Sequence, residues 1–580
     1  MRSWPRLPRR APLVVLVLLA TFLPGAGRAT EIVVDTRLDD SAEGPNGDCS
    51  LREAVIAANT DAPVDGCPAG SGTDTVILGA SHYDVIIAGP PGEAGSLSGS
   101  IDITGALTIR GAGADATKVE ILDGTFDYRG VRVLPGAGPV TLSDLSIEDW
   151  DHAVADVVFN QGTLTIARAT ILGGLTASVE SSGFLRMADS TLRWRADHHL
   201  ISSGTAVLER VLVDGSDCNA DSALCAGILN RGMMALIDST VRDHPALPVL
   251  NAGSGIRNED DGNLRIERSA IVDNVGNRGG GVWNGGGSVE ILDSQLLGNR
   301  AISAPPLYPS YAPAPGVGGG IFSVNGTVTV TDSEISSNGA EAGGGAIAAT
   351  NSSVTVVRTR ASDNDGGTGT AAIYQGPVFV GGFEDIDRLS IQRSTIDGNH
   401  ASGPGGAVYL WGRGEIENST LSGNRASSGT AIYLDGSAST LTVGSSTLVA
   451  DASDPTKSAV FATPGSKLTF ANDIVSGSCK TRKGGKPFAT KGGNVEGPAN
   501  SCGLDLATDR RGRKSLGLAP LDSHGTPLPT HALVPSSPAI DWALSAACPA
   551  TDEAGTRRPI DGNRDGAARC DSGAYEYQPR

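Results

Sequence analysis

The residues that could transfer protons occur in this chain as short, isolated groups. Aspartate precedes histidine at Asp151-His152, Asp197-His198-His199 and Asp243-His244, and three acids adjoin at Glu259-Asp260-Asp261. A carboxylate beside an imidazole can orient the ring for general acid/base work. Each group falls at an expected turn, however, where solvated side chains are commoner than catalytic ones. The acids also do not recur at one position of successive repeats, so these residues do not predict a catalytic centre.

A second oxygen-rich pattern lies near the carboxyl terminus. Asp561, Asn563 and Asp565 alternate along a segment that ends at Gly566, which matches the first half of a calcium-binding loop. Position twelve is Ser572, where such loops carry glutamate. An ordinary glycine-rich turn is the alternative interpretation. Calcium is the only cofactor that the sequence suggests.

Most of the chain consists of a repeated sequence pattern. The structure of this repeat must position any catalytic or metal-binding residues. A small residue, Ser or Thr in nine of thirteen cases, recurs at intervals of 21 to 39 residues. The residue three positions earlier is apolar every time, and the one five positions earlier is apolar in most repeats. The small residues are Leu145, Ala169, Ser190, Val211, Ser239, Ser269, Ser294, Ser333, Thr359, Ser394, Ser419, Ser446 and Asp473.

Apolar residues that alternate with polar ones have the period of a strand with one buried face. The repeats are too short for strand-helix-strand units, so they predict stacked coils of short strands. Five residues after the small residue, six repeats place asparagine, which can hydrogen-bond along a stack. These are Asn274, Asn299, Asn338, Asn364, Asn399 and Asn424. Glycine runs such as Gly318-Gly319-Gly320 are expected at the bends.

Two repeats are lengthened by insertions in which aromatic residues cluster. Insertions in a solenoid emerge on its surface and often bind ligands. Aromatic faces suit sugar rings, and acids can bind hydroxyls or a cation. The alternative is that the loops pack against the stacked coils and their aromatic side chains cover apolar surface. The predicted binding residues are Tyr308, Tyr311, Tyr374, Phe379, Phe383, Glu384, Asp385 and Asp387.

The amino terminus has the pattern of a secretory signal peptide. Basic residues precede an apolar stretch from Ala11 to Leu23, and small residues Gly27 and Ala29 mark a cleavage site. The apolar stretch is too short to span a bilayer, so no transmembrane segment is expected in the mature chain. A formal net charge of −19 disfavours nucleic acid as a partner. We therefore expect an extracellular or cell-surface location.

An even number of cysteines behind a signal peptide indicates disulfides. The chain has 8 cysteines, and proximity in sequence suggests four pairs. These are Cys49 with Cys67, Cys218 with Cys225, Cys479 with Cys502, and Cys548 with Cys570. Other pairings remain open at this point.

A short amphipathic helix is predicted at 50–59. Ser50 and Glu53 form a capping box, and Leu51, Ala54 and Val55 share one apolar face. Such a helix can cover the open end of a coil stack. Arg52 is expected at the surface or at the cap.

The repeat pattern resembles the right-handed parallel β-helix of the pectate-lyase-like superfamily. The run Cys49-Ser50-Leu51-Arg52-Glu53-Ala54 matches the CSLREA motif at the start of many secreted β-helix proteins. The segments Ser537–Asp541 and Cys570–Glu576 are similar to a choice-of-anchor Q module. The resemblance implies an all-β solenoid with an N-terminal capping helix and a disulfide-bearing C-terminal module.

The expected organisation is a signal peptide at 1–29, an N-terminal capping module at 30–94, a parallel β-helix at 95–478 and a C-terminal capping or anchor-type module at 479–580. The expected function is adhesive, carbohydrate-binding or structural, with a polysaccharide or cell-surface glycan as partner. A polysaccharide lyase or glycoside hydrolase is the alternative, although no catalytic constellation is recognised.

Overall fold

The chain forms a parallel β-helix in which each coil contributes strands to three sheets. The computed structural model describes residues 29–39, 46–86, 96, 99–122, 129–150, 154–194, 196–218, 225–245, 255–304, 314–370, 372–376, 388–451, 453–454, 457–482, 485, 487–526 and 528–579. Each strand pairs in parallel with the equivalent strand of the next coil. The predicted all-β solenoid is confirmed.

We name the sheets in the order in which a coil visits them. Sheet 1 contains Ile101–Ile103, Arg129–Val133, Asp156–Asn160, Ala177–Ser181, His198–Ser202, Ala226–Asn230, Ile256–Asn258, Val282–Gly285, Ile321–Val324, Ile347–Thr350, Ile373–Gln375, the first parts of Val408–Glu417 and Ile432–Gly444, Val460–Ala462 and Cys479–Thr481. Sheet 2 contains Glu31–Val33, Asp74–Ile77, Leu107–Arg110, Pro139–Ser143, Thr163–Ala167, Phe184–Ala188, Thr205–Glu209, Met233–Ile237, Asn263–Glu267, Ser288–Leu292, Thr327–Thr331, Ser353–Val357, Arg388–Gln392, the second parts of Val408–Glu417 and Ile432–Gly444, Lys467–Ala471 and Phe488–Thr490.

Sheet 3 contains His82–Val85, Lys118–Ile121, Ser146–Asp149, Thr170–Gly173, Thr191–Arg193, Leu212–Asp214, Thr240–Arg242, Ala270–Val272, Gln295–Leu297, Glu334–Ser336, Arg360–Ser362, Thr395–Asp397, Thr420–Ser422, Thr447–Val449, Ile474–Ser476 and Val495–Gly497. A small fourth sheet joins Val275–Gly276, Arg300–Ala301 and Gly339–Ala340. The inward residues of sheets 1 to 3 form one continuous apolar core.

The recurring Ser and Thr residues lie where sheet 2 turns into sheet 3, and their hydroxyls explain the pattern. The backbone N–H of Ser239 donates to Ser269 Oγ at 3.0 Å, and the N–H of Ser269 donates to Ser294 Oγ at 3.1 Å. The column ends where Ser446 N–H donates to the carboxylate of Asp473. A hydroxyl at each coil therefore satisfies a buried donor of the preceding coil.

The asparagine column is confirmed as a hydrogen-bonded ladder between sheets 3 and 1. Asn299 Nδ2 donates to Asn338 Oδ1 at 3.0 Å, and Asn338 Nδ2 donates to Asn364 Oδ1 at 3.0 Å. Each side chain also caps backbone groups of neighbouring coils, as Asn338 does for the N–H of Asn299 and the carbonyl of Leu296. The buried amides therefore hold successive coils in one register.

The corner between sheets 2 and 3 adopts the left-handed conformation in every coil from 144 to 472. It carries Asp144, Arg168, Asp189, Arg210, Asp238, Arg268, Asp293, Asp332, Arg358, Arg393, Asn418, Ser445 and Asn472, all with positive φ. Acid and base alternate over the first six coils and pair along the rod, as Arg168 does with Asp144 at 2.6 Å. The last three coils carry neutral residues at this corner.

Helix α1 (Leu51–Thr60) packs against the strands that begin sheets 1 and 2, and its predicted capping box is present. The expectation for Arg52 was wrong, because its side chain is fully buried. Its guanidinium donates to Asp39 at 2.6 and 2.8 Å and to the carbonyls of Ser96, Gly99 and Ser100. All its N–H groups are therefore satisfied in the interior. Coil pairing already begins within 30–94, where Glu31 lies opposite Thr75.

Two parts of the carboxyl-terminal segment cover different surfaces. Cys502 and Leu504 join the main core beyond the last coil, so the core continues into this part. Beyond the antiparallel hairpin of Leu518–Asp522 and Thr530–Leu533, the chain lies on the flank of the last coils. The neutral corner residues contact it there, since Asn418 Nδ2 donates to Thr551 O at 2.8 Å and Asn472 Nδ2 to Leu544 O at 3.1 Å.

One buried acid fixes this flank contact. Glu553 accepts hydrogen bonds from the hydroxyls of Thr395 at 2.8 Å and Thr420 at 2.5 Å. Burial raises the pKa of Glu553, and the two hydroxyls oppose that rise. A short 3₁₀ helix, Ser545–Ala547, lies between the hairpin and this acid.

Four disulfides join Cys49–Cys67, Cys218–Cys225, Cys479–Cys502 and Cys548–Cys570. No helix of the described ranges is long and apolar enough to cross a membrane.

Candidate functional site

The predicted binding residues fall mostly outside the described ranges. Tyr308, Tyr311, Phe379, Phe383, Glu384, Asp385 and Asp387 lie in 305–313 and 377–387, which the structure does not describe. Tyr374 is described, on sheet 1. It leads to an aromatic surface that the sequence analysis did not recognise.

The outer face of sheet 1 carries a column of side chains at one register. In order along the rod they are Asp102, Arg132, Phe159, Glu180, Ile201, Leu229, Arg257, Trp283, Phe322, Ala348, Tyr374, Tyr409, Tyr433, Phe461 and Lys480. The first half is largely charged or aliphatic, and the second half is largely aromatic. The face therefore divides into two regions of different chemistry.

The aromatic half contains four rings stacked along the rod axis. Centroids are 5.0 Å apart for Tyr374 and Tyr409, 5.3 Å for Tyr409 and Tyr433, and 4.9 Å for Tyr433 and Phe461. Parallel strands impose nearly this spacing, so identical positions stack without strain. Stacking covers the ring faces that lie between neighbouring rings, however. The column itself offers ring edges to a ligand, and its main effect is to stabilise the coils.

An exposed aromatic ring lies beside this stack. Trp411 is 40% exposed and stands two residues after Tyr409 on the same strand. A Cβ atom on Gly436 would lie 3.1 Å from the indole, so glycine allows the ring to lie against the next coil. Asp435 is the direct neighbour of Trp411 on that coil. Its Oδ2 atom accepts a 2.6 Å hydrogen bond from the Tyr409 hydroxyl.

The surroundings of Tyr409 keep its phenol protonated. Burial raises the pKa of Tyr409, and the hydrogen bond and charge of Asp435 raise it further. The phenol therefore stays a donor and holds the Asp435 carboxylate in place. We call Trp411, Asp435, Tyr409 and Tyr374 the indole patch.

A buried acid borders the charged half of the face. Asp156 is almost fully buried, and its Oδ2 atom accepts from Arg129 Nε at 3.0 Å. Burial, followed by the nearby charge of Glu180 on the next coil, raises the pKa of Asp156 to about 7. The buried Oδ1 atom of Asp156 has no donor unless a proton lies between the two acids. Asp156 therefore keeps a proton far above the usual pH range of an aspartate.

A tryptophan pair lies at the corner where sheet 3 returns to this part of sheet 1. Trp150 is 37% exposed, and its ring meets the edge of Trp194 at a centroid distance of 4.8 Å. Its indole nitrogen donates to Glu148 at 2.7 Å. The charged half thus also has an exposed aromatic ring at its border.

The expectation that the Asp-His pairs are solvated was wrong for two histidines. His199 and His244 are fully buried, and their rings are hydrogen-bonded to each other. His244 occupies the ladder position that asparagine takes in later coils, which made it look like an isolated turn residue in the sequence. His152 lies outside the described residues.

At two other predicted or visible sites, several of the charged side chains already have hydrogen-bond or ion-pair partners. In the predicted calcium loop, Asp561 accepts from the N–H groups of Asp565 and Gly566, and Asn563 accepts from Asp565 N–H. The calcium site stays a prediction. A groove of about 700 Å³ at the corner of sheets 2 and 3 is lined by Arg268, Arg358 and Arg360, each already paired with an aspartate.

Comparison with protein-family models found no match, and comparison with curated proteins found none. Solved structures with a similar course of chain include two A-modules of Azotobacter vinelandii mannuronan C-5 epimerases. AlgE6 gives a TM-score of 0.33 at 13% identity over 79% of this chain and 98% of that chain, and AlgE4 gives 0.29 at 12% over 78% and 98%. Pectate lyase Pel9A gives 0.23 at 12% over 96% and 98%. Scores this low carry no argument about activity. The strand pairing itself defines this chain as a parallel β-helix protein.

Proposed function

We propose that this protein is an extracellular β-helix that binds a glycan on the outer face of sheet 1. The observation that carries the proposal is the exposed indole of Trp411 beside the fixed carboxylate of Asp435. A pyranose has an apolar C–H face and a rim of hydroxyl donors. An aromatic face and a carboxylate oxygen on adjacent coils match those two surfaces.

The charge of the chain narrows the ligand class. A formal net charge of −19 opposes the approach of a long polyanion. Asp435 also adds an acceptor, not a cation, at the patch. We therefore expect a neutral polysaccharide to bind better than an acidic one of similar length. The signal peptide pattern and the four disulfides support a location outside the cytoplasm.

The test is a panel of neutral and acidic polysaccharides presented to the mature protein. Retention on neutral glycans, weakened in Trp411→Ala, supports the proposal. Phe184→Ala is the matched control, since Phe184 is 41% exposed on sheet 2 and lies away from the patch. If no member of the panel retains the protein, a purely structural rod is the better account.

A second candidate function is a polysaccharide lyase or hydrolase centred on Asp156. The specific observation is a carboxyl group with a pKa of about 7 next to Arg129, which suits a general base beside a site for a substrate carboxylate. Release of unsaturated or reducing ends that is lost in Asp156→Asn would favour this candidate.

A further inference from the structure

The first coils carry a column of exposed apolar side chains at the end of sheet 3. Half of the ten large apolar side chains that are exposed in the described residues belong to it, and each is between 37 and 63% exposed. Single exposed apolar residues are ordinary, but a contiguous group marks an interaction surface. We name as the apolar column the residues Leu38, Ile86, Leu122, Trp150 and Leu175.

Strand pairing places these side chains one coil apart. Ile86, Leu122 and Trp150 each directly follow a strand of sheet 3, and those three strands pair in register. The side chains therefore repeat at the coil spacing of about 4.8 Å. On the next coil Gly174 takes this register, and Leu175 comes directly after it.

Trp150 is held in one orientation within the column. Its coil and that of Trp194 are separated by a coil with Gly173 and Gly174 at these positions. Because that coil carries no side chain here, the ring of Trp150 reaches Trp194, at a centroid distance of 4.8 Å. The indole N–H donates to Glu148 at 2.7 Å, so the polar atom of the ring already has its partner. The column therefore suits an apolar protein surface better than a sugar, which needs polar partners as well.

The spacing of the column matches a second copy of this chain. Apolar side chains that repeat at the coil spacing interdigitate best with a column of the same spacing. A second copy supplies such a column with the same side chains. Two identical chains form a closed dimer about a two-fold axis, which uses the same surface on both sides.

Two charges beside the column are complementary about such an axis. Asp84 and Arg193 occupy the outward register next to it, and neither has an ion-pair partner among the described residues. Asp84 lies two coils before Trp150, and Arg193 lies two coils after it. An axis at Trp150 that reverses the direction of the rod thus brings Asp84 of each copy opposite Arg193 of the other.

We propose that two copies of this chain dock antiparallel through the apolar column, about a two-fold axis at Trp150. Leu122 of each copy then packs against Leu175 of the other, and two ion pairs join Asp84 to Arg193. The overlap covers only the first coils, and Trp411 belongs to a much later coil. Both indole patches therefore stay accessible, at opposite ends of the dimer.

The experiment is sedimentation velocity of the mature protein over a series of concentrations. The wild type should form a dimer. Leu122→Glu, Asp84→Arg and Arg193→Asp should each raise the dissociation constant about tenfold or more, and Asp84→Arg combined with Arg193→Asp should restore it. Met233→Glu is the matched control, since Met233 is equally apolar and exposed but lies on sheet 2. Circular dichroism and melting temperature establish that every variant is folded.

Four results would overturn the proposal. The first is a wild type that stays monomeric at every concentration, and the second is a dimer that survives Leu122→Glu. In the third, the combined charge reversal fails to restore the dimer, so Asp84 does not face Arg193. In the fourth, a monomeric wild type binds phosphatidylcholine vesicles and Leu122→Glu does not, which would assign the apolar column to a lipid surface instead.

Discussion

The hydroxyl of Tyr409 donates a 2.6 Å hydrogen bond to Asp435, the residue that lies directly beside Trp411 on the next coil. The bond fixes a carboxylate at the edge of an exposed indole. Both residues come from coils whose strands are locked by the core and by ring stacking. A rigid, pre-positioned pair of this kind loses little side-chain entropy when a ligand binds.

Replacing Arg52 by methionine should destabilise the amino-terminal coils strongly. The change removes all five N–H donors of a fully buried guanidinium and leaves Asp39 as a buried charge without its cation. Breaking one side of a buried ion pair costs about 3–5 kcal/mol. Urea unfolding followed by far-ultraviolet circular dichroism measures the loss. Arg37→Met, at an exposed arginine nearby, is the control. Equal midpoints for the two variants would show that the buried pair does not stabilise the fold.

Replacing Asn338 by alanine should weaken the ladder at its centre. The side chain accepts from Asn299 and donates to Asn364, so alanine leaves buried groups unpaired on both neighbouring coils. Each such group costs about 1–3 kcal/mol. Thermal unfolding of Asn338→Ala against Asn263→Ala, an exposed asparagine on sheet 2, isolates this effect. If both variants have the same melting temperature, the ladder does not stabilise the fold.

The Asp156–Glu180 pair predicts a specific pH dependence of stability. The folded pKa of Asp156 is about 7, above its ordinary value, so between about pH 4 and 7 the folded state keeps a proton that the unfolded state has released. The stabilisation from this proton is complete at low pH and is lost as the pH rises to 7. It is of the order of a few kcal/mol at most.

Asp156→Asn removes that titration and keeps a donor towards Glu180. The free energy of unfolding of the wild type minus that of the variant should therefore fall between pH 4 and 7 and then stay level. Denaturant unfolding at six pH values gives this difference. A difference that does not change with pH would mean that Asp156 titrates alike in both states.

The periodic parts of the structure were predictable because coil stacking repeats every sequence signal. Inward residues such as Ile291 and Ile391 are fully buried, and the asparagine column forms the expected ladder. The serine and threonine column was visible as a pattern. Its reason, a hydroxyl that accepts from the preceding coil, became clear only from the bonds.

The candidate sites were not predictable because they depend on neighbours one coil apart and the coils differ in length. Trp411 and Asp435 are adjacent in space but 24 positions apart, and neither has a recurring motif. His199 and His244 are separated by 45 positions. Arg52 was assigned to the surface because charged residues usually lie there, and its buried partner Asp39 precedes it in an unpatterned segment.

The affinity of the indole patch for its best neutral oligosaccharide tests the central claim most directly. Isothermal titration calorimetry would compare the wild type with Trp411→Ala, Asp435→Asn and the control Phe184→Ala. We expect Trp411→Ala to weaken binding at least tenfold, equivalent to about 1.4 kcal/mol, and Asp435→Asn to weaken it less. Phe184→Ala should bind like the wild type, and all four proteins should share one melting temperature. Equal affinity of Trp411→Ala and the wild type would contradict the proposal that the outer face of sheet 1 binds the glycan at this patch.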